Sequence, residues 1–365
     1  GNVVWISSRD CSAQRRHQKL IEEAPAPALP EGVEDEMGAA AVKAAKAVGY
    51  FNAGTVEFIY QDEEFFFLEM NTRLQVEHPV SELITGIDLV EWQIRVAAGE
   101  KLPMTQKQVL AARRGHAIEI RINAENPTAG KFLPSPGTIT KLTTPDGFGV
   151  RFDGGYEAGD TVSQYYDNLI GKLIVWGKDR PSAIARTIRA LEETKVEGLH
   201  TTIQADLAIL RHPDFAATKH STKWVEETLD LSTLVSTTGE IQANSEGLVE
   251  KSTVVEVNGK RFDVKVWVPP FAGTGAPTTK TRSASRGANQ SAAAASGTIT
   301  APMQGTVIKL LVEVGQTVAQ GDAVLVLEAM KMENQIQADK AGTVAKVNCK
   351  AGDTVGAGDV LLVIE

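Results

Sequence analysis

Long apolar runs, a basic excess, paired cysteines and glycine-rich phosphate loops are all missing from these 365 residues. No apolar stretch approaches the ~20 residues that span a bilayer, and the N-terminus has neither a basic start nor an apolar signal segment, so membrane insertion and secretion are not expected. A net charge of −9 argues against nucleic acid as a partner, because a polyanion repels it. The two cysteines, Cys11 and Cys349, fall in different segments and form no metal signature; they read as reduced thiols of a cytoplasmic protein. What is present is an ordinary globular composition, 42% hydrophobic and 23% charged, in a chain long enough for two or three domains with real cores.

Composition divides the chain. Residues 269–298 consist of Ala, Gly, Ser, Thr and Pro with a few basic side chains, too few large apolar groups to bury, and so read as a tether. As a flexible coil it spans roughly 30 Å and stretches to about 100 Å. Before it, Thr253–Val257 and Lys260–Val268 flank Asn258-Gly259, a strong hairpin signal; the hairpin is either purely structural or a docking element for a partner subunit. Residues 231–247 are polar and irregular. The expected domains are therefore 1–231, a linker with hairpin at 232–268, the tether at 269–298, and a C-terminal domain at 299–365.

The C-terminal domain is an internal repeat. Gly305-Thr306-Val307 recurs as Gly342-Thr343-Val344, Gly315 as Gly352, and Gly321-Asp322 as Gly358-Asp359, with an offset of about 37 residues. Alternating runs such as Val324–Val326 and Leu361–Val363, punctuated by Gly-Asp and Gly-Gln turns, predict a flattened all-β barrel with a pseudo-twofold axis. The first copy runs into Glu328-Ala329-Met330-Lys331-Met332, whereas the second ends at Glu365, which puts Lys331 at an exposed tip. Ala329-Met330-Lys331-Met332 resembles the biotin attachment site of biotin-dependent carboxylases. A lipoyl domain shares the architecture but usually flanks its lysine with aspartate and alanine. Gly305 passes to Gly315 without insertion, so the thumb of some bacterial carriers is not expected.

In the first domain, Gly54–Tyr60 and Phe65–Met70 read as a hairpin joined by an acidic turn. With a three-residue loop, Asp62-Glu63-Glu64, Glu57 falls opposite Glu69, and two carboxylates so close repel unless a cation joins them. Hard oxygen ligands in this arrangement suggest Mg2+, against the plainer reading of a solvated strand face. Glu69, Asn71, Arg73, Gln75 and Glu77 follow at every second position, which in an extended chain puts them on one face about 26 Å long. Metal and phosphate would then occupy the Glu69 end and a second substrate the Glu77 end.

Phe67-Leu68-Glu69-Met70-Asn71-Thr72-Arg73-Leu74-Gln75-Val76-Glu77-His78-Pro79-Val80 resembles the signature of biotin carboxylases within the ATP-grasp group, and Arg9–Ser12 with Gln14–Lys19 resembles the segment before it. Arg114–Glu125 and Phe132–Gly137 match the same family. With the tether and carrier, the whole resembles the α chain of an actinobacterial-type acetyl- or propionyl-CoA carboxylase. The resemblance implies an α+β fold: an ATP-grasp-type biotin carboxylase C-terminal lobe with a mostly antiparallel sheet, then a linker and a biotinyl/lipoyl-like barrel.

The resemblance also implies roles. Glu57, Glu69 and Asn71 would hold Mg2+ or Mn2+ bridging ATP phosphates, with Gln14 and His17 near the nucleotide and Ile59 lining its base. Lys19, Arg73, Gln75 and Val76 would bind bicarbonate, Glu77 would take its proton, and Arg121 would stabilise the biotin enolate, unless Arg121 is a simple ion-pair partner of Glu119. Biotin would be covalent on Lys331, attached by biotin protein ligase. The partners implied are a separate carboxyltransferase β subunit and a second copy of the lobe. Since the chain opens at Gly1 inside the pattern, the family's N-terminal lobe and Gly-rich lid are expected to lie outside it. The alternative from a different class is a non-catalytic biotin carrier and assembly fragment.

Overall fold

The structure, a computed structural model, describes residues 2–27, 29–232, 234, 249–257, 260–268, 297–302, 304–329, 332–356 and 358–365. The chain divides into two compact units. The first uses strands β1 (Asp10–Arg15), β2 (Gln18–Ala24), β3 (Thr55–Gln61), β4 (Glu64–Asn71), β5 (His116–Asn123), β6 (Val150–Gly154) and β7 (Leu169–Gly177). β1-β2-β5-β7-β6 form a five-stranded antiparallel sheet, and β3 with β4 forms a separate hairpin. Helices α1 (Val33–Ala47), α2 (His78–Thr85) and α3 (Arg180–Glu193) belong to the same unit. This mixture of helices with antiparallel sheet is the α+β architecture the sequence implies.

The central strand β5 explains the layering. It alternates Ala117, Glu119 and Arg121 with Ile118, Ile120 and Ile122, and a period of two sends these sets to opposite faces. The isoleucines are fully buried with Leu173, Val175, Ala183, Ala190 and Leu191, so α3 covers this side; each isoleucine contributes about 1.5–3 kcal/mol. Asp179 caps α3 by accepting from the Ser182 amide, and Pro181 suits its first turn. A Cβ added at Gly177 would strike the backbone of Ala183, so the close approach of β7 to α3 requires glycine there. On the opposite side Ala24, Val80, Ile84, Ala117 and Ile174 make a smaller apolar cluster beneath α2. Glu119 and Arg121 share that side.

In the second unit, strands 249–257 and 260–268 pair in register from Val249↔Val268 to Val257↔Lys260. The expected hairpin is therefore present and longer than predicted; Asn258-Gly259 itself lies outside the described residues, as does most of the 269–298 tether. The C-terminal segment forms two four-stranded sheets. Gly305 pairs with Val355 in one sheet, and Val318 with Gly342 in the other. These are equivalent pairs of the repeat, with the copies exchanged. Gly315 and Gly352 have φ of 91° and 92°, a left-handed conformation that favours glycine, and their amides donate to Val344 and Val307 at 2.8 and 2.7 Å. Val307, Val324, Leu325, Leu327, Val344, Leu361 and Leu362 form the fully buried interior. Strand Ala323–Ala329 is followed by Met332–Gln337. Met330 and Lys331, between them, lie outside the described residues, and the expected exposed tip with them. Among the described residues no helix is long and apolar enough to cross a membrane.

Candidate active site

The β3–β4 hairpin brings Glu57 opposite Glu69, by a different route from the one expected. Gln61 pairs with Glu64, so the loop has only Asp62 and Glu63 between the strands, both left-handed with φ of 52° and 65°, the twist a two-residue hairpin turn needs. That loop alone would set Glu57 against Leu68. A bulge between Glu57 and Phe58 adds one residue on β4 and restores the Glu57–Glu69 pairing. Asn71 Nδ2 donates to Glu69 Oε1 at 2.8 Å and to Glu57 Oε1 at 3.4 Å. Lys19 Nζ, from β2, reaches Glu57 Oε1 at 3.1 Å.

The run from Glu69 to Glu77 does not stay extended, which corrects the expected 26 Å face. β4 ends at Asn71, and Glu77 is the N-cap of α2. The reasons are local. Among the described strands none pairs with 72–77, Pro79 is pre-set for the first helical turn, and Lys172 Nζ pins the Val76 carbonyl at 2.6 Å. The turn swings Glu77 back, so that Lys19 Nζ lies 2.8 Å from Glu77 Oε1 while still holding Glu57. Arg121 Nη2 meets Glu77 Oε2 at 3.0 Å, and its Nε donates to Glu22 at 2.6 Å. The expected metal end and substrate end are thus joined through one lysine.

The remaining candidates are placed as follows. Gln14 is the cross-strand partner of Lys19 on β1, and His17 is exposed in the left-handed turn between β1 and β2. Ile59 stands on the same strand face as Glu57 and is 44% exposed, paired with the exposed Phe66. Arg73 Nη1 donates to Gln75 Oε1 at 3.2 Å, and Gln75 is buried with its Nε2 unmet among the described residues.

Comparison with known proteins identifies the domains that carry these residues. Residues 1–105 match the family "Carbamoyl-phosphate synthase L chain, ATP binding domain", 119–227 match "Biotin carboxylase C-terminal domain", and 297–364 match "Biotin-requiring enzyme". The first unit is a biotin carboxylase lobe, and a biotin-carrier domain follows it. Among curated relatives, the α3 subunit of a biotin-dependent acyl-coenzyme A carboxylase from Mycobacterium leprae is 44% identical over 93% of this chain and 58% of its own length. Biotin carboxylase 1 of Bacillus subtilis is 51% identical over 62% of this chain and 50% of its own. A solved structure of the biotin carboxylase domain of Hydrogenobacter thermophilus 2-oxoglutarate carboxylase, in complex with MgADP, ADP and bicarbonate, is similar with a TM-score of 0.62 and 45% identity, covering 64% of this chain and 51% of that one. The chain spans about half the length of the curated relatives it matches.

Within the carboxylase lobe, charge is concentrated on Glu77. It is fully buried, and burial works against its ionisation. Arg9 at 4.0 Å, Lys19 and Arg121 overcome that and hold the carboxyl down at about 2. Burial likewise opposes the charge of Lys19, and the nearby Glu77 and Glu57 help to lift its ammonium above the usual lysine range. Cys11 Sγ approaches Glu77 at 3.9 Å, and burial pushes its thiol well up, so it stands as a neutral group.

Sequence reasoning passed over Arg9, Glu22 and Lys172 as site residues. Two carried a signal: Glu22 follows Leu20-Ile21, and Lys172 sits in Leu169-Ile170-Gly171-Lys172-Leu173-Ile174, and a charge inside an apolar strand needs a buried partner. Elsewhere, ligand atoms of Asp10, Glu23 and His220 lie within 4.8 Å of one another. Glu23 is already committed there, accepting from Arg180 at 2.7 and 2.9 Å and facing His116 Nε2 at 2.7 Å, so this grouping is an ion-pair cluster.

Proposed function

We propose that the lobe uses ATP to activate bicarbonate and transfers the carboxyl group to biotin carried on Lys331, as part of a longer acyl-CoA carboxylase α chain that hands the group to a separate carboxyltransferase subunit. The observation that carries this reading is the grip on Glu77 by Lys19 at 2.8 Å and Arg121 at 3.0 Å, beside the facing pair Glu57 and Glu69. Glu57, Glu69 and Asn71 offer hard oxygen donors on one hairpin and fit Mg2+ or Mn2+, which would neutralise phosphate charge. Biotin would supply the nitrogen that accepts the carboxyl group.

The chain's own residues account for the rest. Bicarbonate is a poor electrophile, and Lys19, Arg73, Gln75 and the Val76 backbone would hold it for attack on phosphate. Glu77 would take its proton. A carboxylate held at about 2 is a feeble base, but the cations that hold it there are those an anionic substrate would claim. As Lys19 turns to bicarbonate, the basicity of Glu77 rises. Arg121, permanently charged and able to donate twice, suits the biotin ureido oxygen. Supporting relations include the Mycobacterium leprae acyl-coenzyme A carboxylase relative noted above, matched over 93% of this chain. A cytoplasmic setting, pairing of two lobes and modification by biotin protein ligase belong to the same reading.

The test is bicarbonate-dependent ATP cleavage with free biotin, in a chain extended to the relatives' full length. Activity that disappears in Arg121→Met supports the reading. A full-length chain without activity leaves a biotin carrier and assembly module instead.

A further inference from the structure

Behind the site, Glu119 lies wholly buried on β5, and neither of its oxygens meets a hydrogen-bond donor among the described residues. Its cross-strand partner on β2 is Glu22, also wholly buried. Glu22 accepts from Arg121 through Oε1, while its Oε2 has no partner among the described residues. Directly opposed residues of an antiparallel pair stand ~4.5–5.5 Å apart at Cβ. Two carboxylates so placed, away from water, do not both ionise.

The remaining charges on this face are engaged with other groups. Lys172 of β7, opposite Arg121, donates to the Val76 carbonyl at 2.6 Å and lies 3.8 Å from Asp153 of β6. From α2, Glu82 takes Arg151 of β6 at 2.7 Å and stands 3.7 Å from His78. Glu77, at the start of α2, is held by Arg9, Lys19 and Arg121. Arg121 donates directly to Glu22, whereas Lys172 and Arg121 act on Glu119 only through space and none of the described residues donates to it.

We propose that Glu119 is held as a neutral acid opposite an ionised Glu22, so that the pair presents a single negative charge to Arg121 and sets how that guanidinium points toward Glu77. Glu119 is then a positioning residue that acts through Glu22 and Arg121. Burial first, and the charge of Glu22 second, push its carboxyl well above the usual range, in keeping with this arrangement. Ionising it would give Arg121 a second carboxylate to answer and draw it from Glu77.

Two arms test this, and only the kinetic one rests on the carboxylase reading. Infrared spectroscopy of this chain near neutral pH should show the carbonyl stretch of a buried protonated carboxyl that is lost in Glu119→Gln and kept in Asp206→Asn; a spectrum unchanged by Glu119→Gln overturns the proposal, whatever the enzyme does. In the full-length enzyme, Glu119→Gln mimics the neutral acid and should retain turnover at neutral pH while removing an alkaline fall in rate. Glu22→Gln should cost about 10–100-fold, the usual scale for a residue that orients another. A Glu119→Gln variant as impaired at neutral pH as Glu22→Gln overturns the proposal, because the carboxylate form would then be the one required. If no full-length chain is active, the carboxylase reading fails and the infrared result alone decides this one.

Discussion

Arg121 Nη2 lies 3.0 Å from Glu77 Oε2, a contact between strand β5 and the cap of α2 that closes the site from the sheet side. Glu77 is cut off from solvent and Arg121 is half-buried, with side-chain exposures of 1% and 19%. Removing Glu77 leaves Arg121 with Glu22 alone, and removing Arg121 leaves Glu77 to Lys19 and Arg9. In a full-length enzyme Glu77→Gln should lower the rate of bicarbonate-dependent ATP cleavage by about 10²–10⁴-fold, the range for loss of a general base. A value of kcat within a few-fold of the parent would remove Glu77 from proton transfer.

The facing carboxylates Glu57 and Glu69 make a prediction about divalent metal. Glu69→Gln should weaken Mg2+ binding, so that half-saturation moves to higher metal concentration, while leaving the fold intact because Glu69 is exposed. An Mg2+ titration of activity in the full-length chain reads the first quantity, and thermal melting reads the second. An unchanged Mg2+ requirement would show that the hairpin pair is a solvated strand face.

Acid should act on this network at an unusually low pH. The folded-state carboxyl of Glu77 is held down at about 2, below its ordinary 4.5. A depressed carboxyl contributes stability that is complete above its unfolded value and disappears as pH falls through the folded one. The Glu77 contribution should therefore be lost between about pH 4.5 and 2. Urea titrations across that window should show parent stability falling more steeply than that of Glu77→Gln; equal slopes would contradict the shift.

Arg15 is 2% exposed and forms an ion pair with the wholly buried Glu125, which also accepts from Asn168 at 2.7 Å. Breaking a buried pair from one side strands a charge, so Arg15→Met should destabilise the lobe by about 3–5 kcal/mol. Denaturant unfolding measures it. A cost below about 1 kcal/mol would contradict a stabilising role for the pair.

For the carrier, co-expression with a biotin ligase should label the chain at one lysine, and Lys331→Arg should abolish the label. Mass spectrometry of tryptic peptides decides it. A label that persists after the substitution refutes the site.

The sequence carried much of this arrangement wherever a periodic pattern coincided with a periodic structure. β5 alternates in sequence as it does in space, and the 37-residue repeat reappears as paired strands with matching left-handed glycines. It failed where the period was broken by something non-periodic. The polar alternation from Glu69 to Glu77 reads as strand, yet Pro79 starts a helix just beyond it and Lys172, almost a hundred residues later, fixes the Val76 carbonyl. The Glu57–Glu69 pairing was anticipated from a loop one residue too long, and a bulge that no local pattern announces compensated for it. Arg9 and Glu22 needed the folded neighbourhood of Glu77 and Arg121 before their place in the site could be read.

The exchange of strands in the C-terminal barrel has one more consequence. Gly305 of the first copy finds its hydrogen-bonded mate in the second, and Gly342 of the second finds its own in the first. Neither copy is therefore a folding unit by itself. A cut between them would not yield half a barrel but two frayed peptides, and the interlocked halves should melt together as one cooperative body.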